Sequence, residues 1–292
     1  MTDGRDFLGY GACPPRVVWP GDAPVAVSFV LNIEEGAERA ISSGDDRNES
    51  AYEVVDEVIG QRDFCMESHF EYGPRAGYWR IARLFAEYGV PLTLNLCGRA
   101  LVRTPWLGRH AIAAGHEAMC HGWLWQHHNH MDEAEERATI QRCVDTFQDI
   151  LGTRPRGWHV KSHPSPQTRR LLMEEGGFLY DSNAYNDDLP TILHRDPGYV
   201  VLPYSFDTND MQFFNTGRFV HGADFARYCC DAFDWLASED VPKMMTVGLH
   251  TRIIGRPGRI GGLKALLEHI SRRNGWIARR DAIAQTWLTQ LA

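Results

Sequence analysis

The sequence predicts an α/β fold in which a parallel sheet curls into a TIM-like (β/α) barrel, and three observations support this. Strand-like apolar runs alternate with segments of helical periodicity, a pattern typical of parallel sheets covered by helices. Acidic residues and histidines come at the ends of several runs, as expected where chemistry lies at the C-terminal ends of barrel strands. The length of 292 residues suits one barrel, and no linker-like composition divides the chain. We therefore predict a single catalytic domain over residues 1–292.

The first elements follow from residue type and spacing. Residues 25–31 are rich in β-branched and apolar side chains and predict a strand. Apolar residues then recur at helical spacing over 81–88, and Gly89 is placed to end that helix. Residues 91–96 predict the next strand. The N-terminal third of the chain is thus a strand–helix–strand unit.

The later elements repeat this alternation. Asp132 and Glu135 have the spacing of a capping box, which predicts the start of a long helix. Strands are predicted at 200–202 and 244–249, with a helix near 222–238 between them and a final helix from about Asp281. The long helix should bury the stripe Ile140, Cys143, Val144, Phe147, Ile150 and Leu151.

Composition excludes several classes of protein. A formal net charge of −8, without a basic cluster, argues against a nucleic-acid partner. No apolar run approaches the roughly 18 residues of a membrane span, and residues 1–6 are too polar for a secretory signal. Seven cysteines without Cys-x-x-Cys spacing predict neither a disulfide framework nor a zinc knuckle. We expect a cytoplasmic protein with no nucleic-acid or membrane partner.

Two adjacent carboxylates follow the first strand. Glu34 and Glu35 precede Gly36. Carboxylates at a strand end can divide labour, with one taking a proton from water and the other orienting it. An ordinary solvated loop is the alternative, because the sequence after Gly36 continues largely polar.

The histidine at the end of the segment 115–121 is the strongest candidate of the 13 in the chain. A catalytic metal site needs about three protein ligands and an open position. Trp125 cannot ligate, so Glu35 and His121 would need His127 or His128 to complete a set. With a metal, His121 would bind it; without one, His121 would hydrogen-bond the attacking water. A structural role is the alternative for any of these histidines.

A second histidine, His250, ends a later apolar strand and precedes a glycine- and arginine-rich loop at 251–259. Arginine presents a fork of donors that suits a carbonyl or carboxylate, so Arg252 and Arg256 are candidate substrate-binding residues. Their alternative is a turn that forms salt bridges to a neighbouring subunit. Four aromatic residues either form flat apolar walls for a small ring or pack in the core: Trp123, Trp125, Trp158 and Phe213.

The segment 115–125 resembles the second motif of the polysaccharide deacetylase (NodB-homology) superfamily. That motif reads Gly-His-Glu and then His-x-x-x-His, and Trp125 replaces its last histidine. Segments 32–36, 154–158 and 248–250 follow in the superfamily's order. Longer segments resemble the metal-independent allantoinases and the cyclic imide hydrolases of bacteria: 66–68, 71–77, 174–182, 187–190 and 209–211. The resemblance implies a distorted TIM-like barrel of the NodB type.

The resemblance also implies roles for the candidate residues. Glu34 corresponds to the general base, Glu35 to a former metal ligand, and His250 to the acid that protonates the leaving group. The substrate would be a small cyclic imide or ureide. Residues 159–164 depart from the allantoinases, which usually carry a Tyr-Thr-Gly-Arg-like segment there, and this favours an imide. No cofactor would be required, and any zinc or other divalent ion would be weakly held. We expect a homo-oligomer, a dimer or a tetramer.

Three other functions remain as alternatives. The chain could be an allantoinase, which opens a cyclic ureide. It could be a metal-dependent N-deacetylase of acetylated sugars, although the broken ligand set and the absence of a secretion signal weigh against this. It could also be a non-catalytic relative that binds a small ligand, against which the retained acidic pair weighs.

Overall fold

The computed structural model describes residues 5–51, 56–214 and 219–291. The outermost ends of the predicted domain, together with two short internal segments, lie outside the described residues. The single catalytic domain over 1–292 stays a prediction. In the described part of the chain, no helix combines the length and apolar character needed to cross a bilayer.

A mixed sheet forms the centre of the molecule. Its strands, in chain order, are β1 (Val25–Ile33), β2 (Thr93–Leu96), β3 (Glu117–Cys120), β4 (Gly157–Trp158), β5 (Tyr180–Asp181), β6 (Thr191–Arg195), β7 (Gly198–Val201), β8 (Lys243–His250) and β9 (Trp276–Ile277). Their spatial order is β6-β7-β5-β4-β3-β2-β1-β8, with β9 beside the first half of β1. All pairs are parallel except β6 with β7.

The sheet curls into a half-barrel, as the distorted TIM-like prediction requires. Its two edges, β8 and β6, are not paired with each other along the strand path. The segment before the short 3₁₀ turn Asp210–Phe213 reaches β8 instead, where Asn209 forms an isolated parallel bridge with Gly248. The backbone N–H of Gly248 donates to the carbonyl of Thr208 at 2.9 Å. The outer edge of β8 is therefore covered locally by a loop and not by pairing with another strand of the described chain.

Helices cover the sheet. They are α1 (Phe64–Tyr72), α2 (Tyr78–Tyr88), α3 (Gly98–Arg103), α4 (Pro105–Ala113), α5 (Glu133–Leu151), α6 (Thr168–Glu175), α7 (Gly222–Ala237), α8 (Pro257–Arg272) and α9 (Arg280–Leu291). The predicted helices at 81–88, 222–238 and from Asp281 are confirmed within a few residues. A π-helical turn, Gly73–Gly77, joins α1 to α2.

Local signals start and stop these helices as predicted. Asp132 caps α5, and its carboxylate accepts the N–H of Glu135 at 2.8 Å. Gly89 ends α2 with φ of 61°, a left-handed conformation that costs glycine little. In the predicted stripe of α5 the first four residues are buried, whereas Ile150 and Leu151 are half-buried because they lie in the last turn.

The topology places one set of strand ends at a common rim. Because β4, β3, β2, β1 and β8 lie side by side in this order and are parallel, their C-terminal ends point the same way. Asn32 of β1 is in register with His250 of β8, and Cys120 of β3 with Trp158 of β4. The residues that follow these strands are therefore brought into one small region. This is the region where open α/β sheets and barrels bind their ligands.

Candidate active site

A cavity of about 590 Å³ opens at this rim. Its floor is formed by the residues at and just beyond the strand ends, and its walls by the loops that follow. The side chains that line it include Glu34, His121, Trp125, His159, Lys161, Tyr185, Tyr204, Phe206 and His250. A neighbouring cavity of about 750 Å³ shares Tyr185, Tyr204 and Phe206 but contains none of the predicted catalytic residues.

The acidic pair is buried and is bridged by one arginine. Arg252 Nη2 lies 2.6 Å from Glu34 Oε2, and Nη1 lies 3.3 Å from Glu35 Oε1. All three side chains are almost completely buried. Arg252 comes just after β8, the strand that pairs with β1, so its guanidinium is held beside the residues that follow β1. Buried charges need such partners, since removing a charge from water is costly.

The two carboxylates do different things. Glu34 faces the cavity, whereas Glu35 lies behind it, where it accepts hydrogen bonds from the hydroxyl of Thr251 and from Arg252. A Cβ atom at Gly73 would approach Glu35 Oε1 to 2.5 Å, so the π-helical turn packs directly on this carboxylate. Glu35 therefore holds Arg252 in place and does not reach a molecule in the cavity.

Glu34 is a carboxylate of low basicity. Burial acts to raise its pKa, but the charges of Arg252 and His250, with the hydrogen bond from His250, outweigh burial and hold the pKa well below its usual range. Glu34 thus stays ionised far into the acidic range. It is available as a proton acceptor at neutral pH, although its depressed pKa makes it a weak one.

His250 is arranged as an acid. Its Nδ1 lies 2.6 Å from Asp210 Oδ1, its backbone N–H donates to Asp210 Oδ2 at 2.7 Å, and its Nε2 lies 3.3 Å from Glu34 Oε1. Burial acts to lower its pKa, but the charges of Glu34 and Asp210 dominate and raise the pKa to about 9. The ring is therefore protonated at neutral pH and presents an N–H to the cavity beside Glu34.

His121 presents an acceptor to the same point. Its Nδ1 bonds to the backbone carbonyl of His159, which can only accept, so Nδ1 carries a proton. Nε2 lies 3.4 Å from Glu34 Oε1. In this tautomer Nε2 carries a lone pair, so Nε2 and the ionised Glu34 are both acceptors there, and a water molecule can donate one O–H to each. This geometry orients a water at the floor of the cavity.

The predicted aromatic walls separate into two groups. Trp125 lines the cavity, with Lys161 Nζ 3.4 Å from its ring centroid. Trp158 is fully buried in the core, because its side chain points away from the cavity. Trp123 lies under Arg142, 3.3 Å from its ring, and Phe213 packs against two other phenylalanines. Of these four predicted residues, Trp125 therefore contributes to the cavity wall and the other three do not.

The two predicted arginines also differ. Arg252 bridges the acidic pair behind the cavity, as described above. Arg256 lies outside the cavity, in a separate surface groove. Its guanidinium carbon is 3.5 Å from the ring centroid of Tyr72, and its Nη2 is 3.4 Å from His69 Nδ1. Neither arginine lines the cavity wall, so the substrate-binding role predicted for them is not supported by their placement.

The donor set does not fit a divalent metal. Glu35 is engaged by Arg252 and Thr251, and Trp125 offers no ligand atom. His128 is buried away from the cavity with its Nδ1 3.0 Å from Glu136, and His127 Nδ1 bonds to the carbonyl of Lys161. Among the residues that the structure describes, no three His, Cys, Asp or Glu side chains are grouped to hold a metal ion. The sequence allowed His127 or His128 to complete a ligand set with Glu35 and His121 only if a metal is bound, and the placement of these two histidines does not support that role.

Three groups at the site could not be assigned a role from the sequence. Asp210 orients and charges His250 from 40 positions away, and only its place in the matched segment 209–211 drew notice. His159 and Lys161 belong to the segment that departs from the allantoinases. No local signal placed His159 inward, because β4 has only two residues, too few to show the alternation of a strand. Tyr185 and Phe206 stack with centroids 3.9 Å apart and planes 6° apart, and they form a flat wall.

Comparison with known proteins identifies relatives over the whole chain. The family model for polysaccharide deacetylase matches residues 60–178. A Schizosaccharomyces pombe protein described as a polysaccharide deacetylase is 35% identical over 98% of both chains. A crystal structure of a Pseudomonas aeruginosa protein, also described as a polysaccharide deacetylase, is 43% identical with a TM-score of 0.94 and covers 98% of both chains. The crystal structure of Puue allantoinase is 43% identical, has a TM-score of 0.93 and covers 99% of this chain and 98% of its own.

Proposed function

The chain belongs to the polysaccharide deacetylase family of hydrolases, and we propose that within this family it opens small cyclic imides, such as succinimide or maleimide, to their half-amides. One observation carries the proposal. Arg252 balances the charge of Glu34 and of Glu35, which corresponds by resemblance to a former metal ligand, and leaves Glu34 a weak base. Such a site supplies little electrophilic help, so the substrate must be activated by its own structure.

A cyclic imide has this activation. Its nitrogen lies between two carbonyls and leaves as a delocalised anion of low basicity, unlike the nitrogen of an acetylated sugar. A leaving group of this kind needs less stabilisation of the developing charge, so a metal ligand can be lost without losing the reaction. The flat wall of Tyr185 and Phe206, with Trp125 in the same cavity lining, suits a small planar ring.

The mechanism uses the residues that meet at Glu34. A water held by His121 and Glu34 loses a proton to Glu34 and attacks one ring carbonyl. The tetrahedral intermediate then expels the ring nitrogen, which takes a proton from His250 as the C–N bond breaks. The product carries one carboxylic acid and one primary amide, so water has been added across that bond. Glu34 Oε1 and His250 Nε2 are 3.3 Å apart, and the proton on Glu34 can return to His250 by this contact.

A cyclic ureide such as allantoin is the second candidate. The likeness to the Puue allantoinase structure over nearly the whole chain favours it. A ureide nitrogen is also delocalised, and the same acid and base would serve. Against it, His159 and Lys161 contribute to the cavity wall in the segment where the sequence departs from the allantoinases. In either case the partner would be a small ring. A dimer or tetramer and a cytoplasmic location stay predictions.

A panel of three substrates tests the proposal. Purified protein is assayed for ring opening of succinimide and of allantoin and for release of acetate from an acetylated chitooligosaccharide, each with and without a chelator. We expect succinimide opening that the chelator leaves unchanged, and weakly held, substoichiometric metal by elemental analysis. Preference for allantoin would favour the second candidate. Acetate release abolished by chelation, with one tightly held zinc per chain, would overturn both ring-opening functions.

The pH dependence of kcat/KM should be set on the alkaline side by His250. Because its pKa is raised to about 9, the acid form is present below that pH and is lost above it. The lowered pKa of Glu34 keeps the base form present through the neutral range. We expect kcat/KM to be flat near neutrality and to fall above about pH 9. The profile is measured with the titration of the substrate's own N–H determined separately.

Asp210→Asn provides the check on this profile. It removes one of the charges that raise the pKa of His250, so the alkaline fall should move to lower pH. Asp187→Asn is the control, since Asp187 lies in the wall of the neighbouring cavity and should leave the profile in place. An alkaline fall at the same pH in Asp210→Asn and wild type would show that His250 does not cause it.

A further inference from the structure

His159 is a buried histidine of the cavity wall for which the mechanism above has no use. It follows β4, and its side chain points inward because Trp158 before it points into the core. The ring stacks with two others. Its centroid is 5.5 Å from that of His121 with planes 5° apart, and 4.2 Å from that of Tyr204 with planes 25° apart. These contacts hold His159 in one orientation, next to His121, which orients the water.

The hydrogen bond at one ring nitrogen determines what the other can do. Nδ1 lies 2.9 Å from the backbone carbonyl of Ser182, and a carbonyl can only accept, so Nδ1 carries the proton. Burial, with the nearby His121 and Arg280, holds the pKa of His159 well below its usual range, so the ring is neutral. Nε2 therefore carries a lone pair. Within the part of the chain that the structure describes, it has no protein donor.

The catalytic groups described above provide no hydrogen-bond acceptor for the N–H of the substrate ring. His250 donates a proton to the ring nitrogen, Glu34 takes one from water, and His121 accepts from that water. The N–H already present on an imide is a donor, and a donor buried without an acceptor is costly. His121 and His250 each have a ring nitrogen within 3.4 Å of Glu34. His159 is neutral, and its hydrogen bond is to a backbone carbonyl and not to Glu34.

We propose that Nε2 of His159 accepts a hydrogen bond from the N–H of the substrate ring and restricts the enzyme to rings whose nitrogen carries a hydrogen. This inference rests on the proposed ring-opening function and specifies its substrate class. During the reaction the ring nitrogen keeps its own hydrogen, which stays hydrogen-bonded to Nε2 of His159. The nitrogen receives a second hydrogen from His250 and leaves as the NH₂ of a primary amide. A ring with an alkylated nitrogen would set a methyl group against the acceptor instead.

The test compares succinimide with N-methylsuccinimide, which differ only at the ring nitrogen. Wild type should favour succinimide by about tenfold or more in kcat/KM, the selectivity expected of a site built to bond an N–H. His159→Phe keeps a flat ring between His121 and Tyr204 but removes the acceptor. It should lower kcat/KM for succinimide by about tenfold and for N-methylsuccinimide by less than about twofold. His159→Gln, whose amide oxygen can accept, should retain part of the preference.

Lys161→Met is the matched control. It changes another polar residue of the same wall without touching the proposed acceptor, so both rings should change by the same factor. Equal losses on both rings in His159→Phe would show that the histidine only supports the wall. Equal turnover of the two rings by wild type would overturn the inference without any variant.

Binding separates this inference from the proposed function. Both rings are titrated against Glu34→Gln by NMR, where binding is expected without turnover. Tighter binding of succinimide by about tenfold supports the role of His159 even if wild type opens no imide, in which case only the proposed function fails. Imide opening without any difference between the rings overturns the role of His159 and leaves the function standing. No opening and equal binding overturn both.

Discussion

Glu34→Gln should lower kcat on the best ring substrate by about 10²–10⁴-fold while leaving ring binding nearly unchanged. A positioned general base contributes a factor of this size. The substitution keeps the shape of the side chain and removes its ability to take a proton from the water shared with His121. It also removes a charge that Arg252 faces at 2.6 Å, so the free energy of unfolding must be measured with the kinetics.

Glu49→Gln is the control for Glu34→Gln. Glu49 is another carboxylate of the cavity wall, but it pairs with Lys161 at 3.2 Å and not with Arg252 or His250. Its turnover should stay within a few-fold of wild type. If Glu34→Gln is folded and also stays within a few-fold of wild type, Glu34 has no part in activating the water.

The second large effect concerns the leaving group. His250→Ala should slow opening of succinimide more than opening of phthalimide, because the nitrogen anion of phthalimide is delocalised further and needs a proton less. The loss on succinimide should be about 10²-fold or more, the lower end of general acid catalysis. Glu34→Gln should instead slow both rings by similar factors, since water must attack each of them. Initial rates of ring opening for both variants on both rings measure this.

Two checks accompany the comparison. His250→Ala leaves Asp210 buried without its charged partner, so His250→Gln is included as a variant that retains a side-chain donor. Thermal unfolding of each variant shows whether the fold is kept. Equal losses for His250→Ala on the two rings would mean that the histidine positions the substrate, and another proton donor would then have to be sought.

Features that depend on neighbouring residues along the chain could be predicted from the sequence. The cap at Asp132 and the left-handed Gly89 are examples, because each is determined within a turn or two of the residue itself. The alternation of strands and helices is local in the same sense. From this alternation Glu34, His121 and His250 could be predicted to lie close together, because parallel strands that lie side by side end at one rim. The loss of a ligand at Trp125 was also visible, because it lies four residues from His121.

Other features could not be predicted because they depend on which distant segments pack together. Arg252 bridges the acidic pair from 217 and 218 positions away, so its spacing carried no signal for this role. The same holds for Asp210, whose contact with His250 depends on the loop that closes the barrel beside β8.

The sequence by itself determined the fold class, the start of α5, the end of α2 and the place of Glu34, His121 and His250 at the rim. Only the tertiary structure decided which of Trp158 and His159 faces the cavity. A two-residue strand is too short to show its alternation, and its orientation is set by pairing with β3 and β5. Tertiary structure likewise decided that a guanidinium balances Glu34 and Glu35, because electrostatic pairing acts through space while a sequence pattern reports only neighbours along the chain.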